Sequence, residues 1–226
     1  MAEGIVYQLK SSPYSSHSLI LKALPTEGLG RRVLDAGCSD GYLARLLVDR
    51  GYQVTGVERP GGYAKPFPEN VALVEADLEL PLPPIPGKFP FVLCADVLEH
   101  LRDPLALLAQ LRELLEPGGR LILSLPNSGN IYFRLVVLSG RFPAEDKGLF
   151  DRTHLHFYTW DGWKDLLARA RFEVEAVVPT GIPVGLQFPS FEGTWPLRAM
   201  ERISYDLARM RRQLFGYQFV VVARGS

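Results

Sequence analysis

The chain has 226 residues, with 25 Lys plus Arg against 25 Asp plus Glu, 47% apolar residues and a sequence pI near 6.9. The neutral balance excludes a globally basic nucleic-acid-binding surface, and the length fits one domain, residues 1–226, with insertions. No apolar run is long enough to span a membrane, and Met1 to Tyr7 carry no basic-then-apolar leader. Cys38 and Cys94 sit in apolar contexts that suit reduced thiols, so a cytoplasmic location is expected.

In chain order, residues 16–24 read as a short apolar helix. Arg32 to Ala36 is the first strand, followed by a glycine turn and a helix at about 40–50 with Leu43, Leu46 and Leu47 on one face. Gln53 to Val57, ending on Glu58, is the second strand. Val71 to Glu75, ending near Asp77, is the third. Prolines at 81, 83, 84 and 86 exclude regular structure before the fourth strand, Phe89 to Ala95. Asp103-Pro104 gives a helix cap and a first-turn proline, Leu105, Leu108, Leu111 and Leu115 mark a helix face, and Pro117-Gly118-Gly119 stops it. Arg120 to Leu125 is the fifth strand. This alternation predicts a doubly wound, mostly parallel sheet. Residues 127–155 break the rhythm, with an apolar run from Ile131 and an irregular stretch from Gly140 to Asp151. A helix at about 160–170 precedes a strand at Phe172 to Val178. A second insertion, 179–213, holds a basic helix with Arg198, Arg202, Arg209, Arg211 and Arg212, and a last strand runs from Phe215 to Ala223.

The chemistry concentrates at strand ends. Asp35 ends the first strand, and Asp40 stands where the next helix should begin. A helix N-terminus attracts anions, and two carboxylates there oppose a pyrophosphate; they suit a ligand with an adenosine part and a cationic part. The dinucleotide fingerprint fails at Ser39 and Tyr42, where glycines are required. Glu58 can accept both hydroxyls of a ribose, and Asp77 is placed for an adenine amino group. Each carboxylate alone also reads as a turn residue; the row of three is what points to a ligand.

The segments Val33-Leu-Asp-Ala-Gly-Cys-Ser-Asp-Gly41, Gly56-Val-Glu58, Glu75-Ala-Asp77, Phe91 to His100 and Leu114 to Asn127 resemble the ordered motifs of class I S-adenosylmethionine-dependent methyltransferases. The resemblance covers roughly residues 30–178 and is nearest to a small-molecule group that includes ubiquinone O-methyltransferases. Asp151-Arg-Thr-His154 with Phe157-Tyr-Thr159 is similar to bacterial members of that group. The resemblance implies a Rossmann-like, seven-stranded α/β sheet with the last strand antiparallel, and S-adenosylmethionine as cofactor. It implies that Asp35, Gly37, Cys38, Ser39, Gly41 and Tyr42 hold the methionine end. Glu58 would bind the ribose, Asp77 and Leu78 the adenine, and Ala95, Asp96 and Val97 would line the pocket beside the sulfonium.

The reaction expected is methyl transfer to a small-molecule acceptor, most simply at oxygen, with His100 or His154 as base. His100 also reads as a packing or helix-capping residue, and one of His154 and His156 as structural. If their segment is extended, His154 and His156 share a side. Some relatives with Glu-x-x-Glu-His use a divalent ion. Here Asp96 replaces the first glutamate beside Glu99 and His100, and no metal is expected. The insertions 127–155 and 179–213 are expected to build a lid. Their apolar run 131–138 and Phe142, Phe150, Phe188, Phe191 and Trp195 read as a small second core, or as a site for an apolar or lipid-linked acceptor. The arginine-rich helix then reads either as a solvated face or as a peripheral membrane contact. A nicotinamide-dependent oxidoreductase and a non-catalytic cofactor-binding protein are the alternatives.

Overall fold

The computed structural model describes residues 12–63, 66–183 and 194–226. Helix α1 (Ser16–Ala23) is capped by Ser15, whose hydroxyl accepts the Ser18 N–H. Strand β1 (Arg32–Ala36) runs into helix α2 (Tyr42–Asp49); β2 (Gln53–Glu58), β3 (Val71–Glu75) and β4 (Phe89–Ala95) follow. A 3₁₀ turn at Leu98–His100 leads to α3 (Pro104–Leu114), where Asp103 accepts the Ala106 N–H at 3.1 Å and proline takes the first turn, as expected. Then come β5 (Leu115–Pro126), α4 (Ile131–Leu138), α5 (Trp160–Arg169), β6 (Phe172–Pro179), α6 (Trp195–Met210), α7 (Arg212–Phe215) and β7 (Gln218–Gly225).

The seven strands form one sheet in the order β3-β2-β1-β4-β5-β7-β6. β7 runs antiparallel to both neighbours, and the remaining pairings are parallel. The strand order reverses between β1 and β4, so a crevice opens at their carboxyl ends. Register levels those ends: Ala36 pairs with Val57 and Cys94, and Ala95 with Ser124. One apolar cluster covers one sheet face with α3 and α5; a second covers the other with α1 and α2. Both faces are buried, which explains why β1, β4 and β5 are near-continuous apolar runs.

Four local expectations are corrected. The helix of the first loop starts at Tyr42 behind a left-handed Gly41 cap, not at Asp40. Leu115 leaves the α3 face and pairs with Phe89, so β5 begins five residues before Arg120. Its Pro117-Gly118-Gly119 is absorbed in a register shift, with Gly118 left-handed. The interval 127–155 holds a regular element, α4, because Asn130 accepts the Tyr132 N–H and caps an apolar helix with no polar stripe to betray its period. The last strand starts at Gln218 rather than Phe215. Residues 212–215 close a helical turn through Gly216 N–H to the Arg212 carbonyl, and extended pairing resumes opposite Pro126. Among the described residues, no helix is long and apolar enough to cross a membrane.

Candidate active site

The β1–α2 loop is a tight cradle. Gly37 N–H and Cys38 N–H donate to the Val57 carbonyl at 2.8 and 3.2 Å, holding the loop against the end of β2. Gly37 lies at φ +81, and a Cβ there would collide with Val97 Cγ2; Leu78 Cδ1 would be 3.6 Å away. The loop, the second residue after β4 and the residue after Asp77 therefore meet at one point. Ser39, where the fullest pattern has glycine, is held at φ +48. The strain is offset by its N–H, which donates to Glu58 Oε2 at 2.8 Å. Glu58 Oε1 accepts the Arg59 N–H. This Glu58–Ser39 tie has no signature in the sequence, because it joins two strand ends through a side chain.

Asp35 is 2% exposed, and its Oδ2 is buried without a hydrogen-bond partner. Burial, then the charge of Glu58, raises its pKa to about 7. Burial is also the main force raising the Glu58 pKa, against the N–H donors of Ser39 and Arg59. An uncompensated carboxylate under a glycine cradle is a site for a cationic group, not for a phosphate. Asp77 is exposed, and its Oδ1 accepts the Glu79 N–H at 3.0 Å. Tyr42 packs its ring 4.7 Å from that of His17, a buried histidine of α1. Its place inside an apolar helix pattern hides His17 in the sequence. Among the described residues, this arrangement fits S-adenosylmethionine: Asp35 and the 37–42 loop would take its charged end, and Glu58, Asp77 and Leu78 its adenosine.

Beyond Val97 the 3₁₀ turn carries Glu99 and His100. The stretch 151–156 docks on it: Leu155 and His156 N–H donate to the Glu99 carbonyl at 2.8 and 3.2 Å. His100 and His154 are brought edge to face, ring centroids 4.8 Å apart. The stretch turns rather than extends. His156 separately meets the Leu101 carbonyl at 2.8 Å and stacks on Tyr158. His154 Nε2 lies 4.0 Å from Glu99 Oε1, yet burial, with His100 second, lowers the His154 pKa to about 4 and keeps it neutral.

Thr153 Oγ1 donates to Asp151 Oδ1 at 2.6 Å and lies 3.0 Å from His100 Nδ1. Its single proton is committed to the carboxylate, so it accepts from His100 Nδ1–H, leaving His100 Nε2 with a free lone pair. Glu99, His100 and His154 each offer a ligand atom, all within 4.8 Å of one another, which is a donor set chemically suited to a divalent cation. Asp96 stands apart from that group. It is left-handed at φ +54, and its Oδ1 accepts from Ser124 Oγ and from Gln218 Nε2. Gln218 and Ser124 leave one trace in the sequence, as polar residues within apolar strands.

A groove of about 280 Å³, almost wholly apolar, opens on the same sheet edge but toward β5 and β6, not over the glycine loop. Asn130 and Ile131 line one side, and Met200, Ile203 and Leu207 the other. Asn127 joins the two insertions, donating through Nδ2 to the Gly216 and Gln213 carbonyls. Phe133, Leu149 and Phe150 form the expected small second core, with Phe133 and Phe150 stacked at 4.5 Å. Phe142 and Trp195 are exposed, and Phe188 and Phe191 lie outside the described residues.

A family model described as a methyltransferase domain matches residues 9–177. A ubiquinone biosynthesis O-methyltransferase of Dechloromonas aromatica is 32% identical over 131 residues, 54% of this chain and 56% of that protein. The chain thus spans about half the length of the first such relatives it matches. The protein of that name from Cereibacter sphaeroides is 29% identical over 84% of this chain and 76% of its own. Among solved structures, a magnesium protoporphyrin IX methyltransferase from Synechocystis, crystallised with bound SAH, superposes with a TM-score of 0.57 at 19% identity. The match covers 93% of this chain and 80% of that one, a likeness of fold.

Proposed function

This chain belongs to the methyltransferase domain family, and from that premise we propose that it transfers the methyl group of S-adenosylmethionine to a small-molecule acceptor at oxygen. The observation that carries the cofactor assignment is the buried, unpartnered Asp35 Oδ2 beneath the Gly37–Gly41 cradle. When bound, S-adenosylmethionine supplies an electrophilic methyl on a sulfonium. What remains for the chain is to align the acceptor, exclude water and receive a proton.

His100 takes that proton at Nε2. Asp151 and Thr153 hold the ring in the tautomer whose Nε2 is unprotonated, the logic of a base oriented by a third group. His154, neutral and buried beside it, limits solvent and fixes the ring edge. The similarity to ubiquinone biosynthesis O-methyltransferases supports oxygen as the acceptor atom. The apolar groove between 130–131 and 200–207 supports an acceptor with an apolar or lipid-linked part, and the insertions 127–155 and 179–213 act as its lid. Buried free thiols at Cys38 and Cys94 support a cytoplasmic location.

The test is a transfer assay with labelled cofactor against phenols, quinone precursors and their prenylated forms. His100→Ala is expected to lower kcat by about 10²–10⁴-fold while cofactor affinity stays near wild type. Unchanged turnover in that variant removes His100 as the base. Cofactor binding without transfer to any acceptor would leave a binding protein.

A further inference from the structure

Fifteen large apolar side chains are exposed among the described residues. Leu29 and Leu80 lie elsewhere; the other thirteen fall between residues 132 and 210. Nine of those lie on two helices, α4 and α6, where a protein surface normally scatters such residues singly. Its geometry is ordered. On α4, Ile131, Leu135 and Leu138 recur at i, i+4 and i+7, and Ile131 lines the groove. Across the groove, α6 sets Met200, Ile203, Leu207 and Met210 on one side by the same periodicity. Leu197 and Ala208 are its buried side, and Arg198, Arg202 and Arg209 occupy the remaining exposed arc. Trp195, 80% exposed, lies at the boundary between the apolar and arginine arcs.

Charge decides what covers this face. Residues 195–212 hold five arginines and two acids. Both acids are engaged: Glu201 accepts from Ser12 Oγ at 3.0 Å, and Asp206 is 3.6 Å from Arg202. Among the described residues, no carboxylate forms an ion pair with Arg198, Arg209 or Arg211. A second copy of this chain would bring the same arginines and the same engaged acids, so the helix does not complement itself. Lipid phosphates beside an apolar interior complement both arcs, and tryptophan favours that interface.

We propose that α4 and α6 form a docking face for an anionic lipid bilayer, with the apolar stripes entering the headgroup–acyl boundary and the arginine row on the phosphates. The groove between the two helices then opens toward lipid, which deepens the acceptor assignment above and rests on it only for that consequence.

The test is flotation of the protein with vesicles of phosphatidylcholine alone and of phosphatidylcholine with one-third phosphatidylglycerol, read together with tryptophan emission. Trp160 and Trp163 are already buried, so a blue shift reports Trp195. Binding to the anionic vesicles with a blue shift, weakened at least tenfold when salt rises from about 0.05 to about 0.5 M, is expected. Arg198→Gln with Arg209→Gln is expected to weaken it by about tenfold or more. Leu138→Glu with Met210→Glu, at positions 83% and 78% exposed, is expected to abolish it. Both double variants should keep wild-type cofactor affinity, which shows that they fold. The proposal is overturned by absence of binding to anionic vesicles, or by equal binding to neutral ones that ignores the arginine changes. It is also overturned by a concentration-dependent dimer that Leu138→Glu with Met210→Glu dissociates. Vesicle binding with no methyl transfer would strike the acceptor reading and leave the docking face standing.

Discussion

Asp35 sets the strongest pH dependence in the site. Its folded pKa, about 7, lies above the ordinary value of 3.8 because the carboxylate is buried beside Glu58. Between about pH 4 and pH 7 the folded chain therefore keeps a proton that the unfolded chain has released. Stability of the ligand-free protein should fall as pH rises through that window and level off above it, measured by urea unfolding. A cationic ligand reverses the preference, since it favours the carboxylate. Affinity for S-adenosylmethionine should drop about tenfold from pH 8 to pH 6, and Asp35→Asn should weaken binding and flatten that dependence. Gly37→Ala adds a Cβ against Val97 Cγ2 at a left-handed position; a loss of roughly 1–3 kcal/mol of stability and of cofactor affinity is expected by thermal shift and titration. The three strand-end acids were legible because strand ends are readable from apolar runs. The strain at Ser39 was not, since it depends on a bond to a side chain 19 residues away.

At the scale of elements, the site rests on two side-chain junctions. The Asp151–Thr153–His100 chain couples the stretch after α4 to the turn after β4. Thr153→Val should lower kcat by about tenfold with little change in KM, and Thr153→Ser should restore it; a KM effect alone would reduce Thr153 to packing. Asn127 is fully buried and satisfies the Gly216 and Gln213 carbonyls and the Gly129 N–H. Asn127→Ala leaves the Gln213 carbonyl and the Gly129 N–H without that partner, while the Gly216 carbonyl keeps Asn130 Nδ2, and a loss of about 3 kcal/mol in urea unfolding is expected. The elements flanking these junctions were readable from periodicity and caps, as at Asp103-Pro104. The junctions themselves join positions 53 and 86 or more residues apart, and no local pattern encodes such pairings.

Across the whole molecule, the β1–β4 crevice and the β5–β6 groove share the carboxyl edge of one sheet, with Asp96 and Gln218 between them. Alternation of strands and helices exposed the parallel part of this plan, and the resemblance of its motifs supplied the antiparallel last strand. The insertions resisted reading because α4 is apolar at every position but Arg134, and α6 carries both an apolar and a basic arc. Neither pattern says which side faces the sheet. Everything at the β1–β4 crevice turns on which cofactor it binds. Parallel calorimetric titrations with S-adenosylmethionine and with a nicotinamide dinucleotide test that assignment most directly. Tight binding of the first, weakened by Asp35→Asn and by Glu58→Gln, with none of the second, is the expected result. Tight dinucleotide binding without S-adenosylmethionine binding would contradict it.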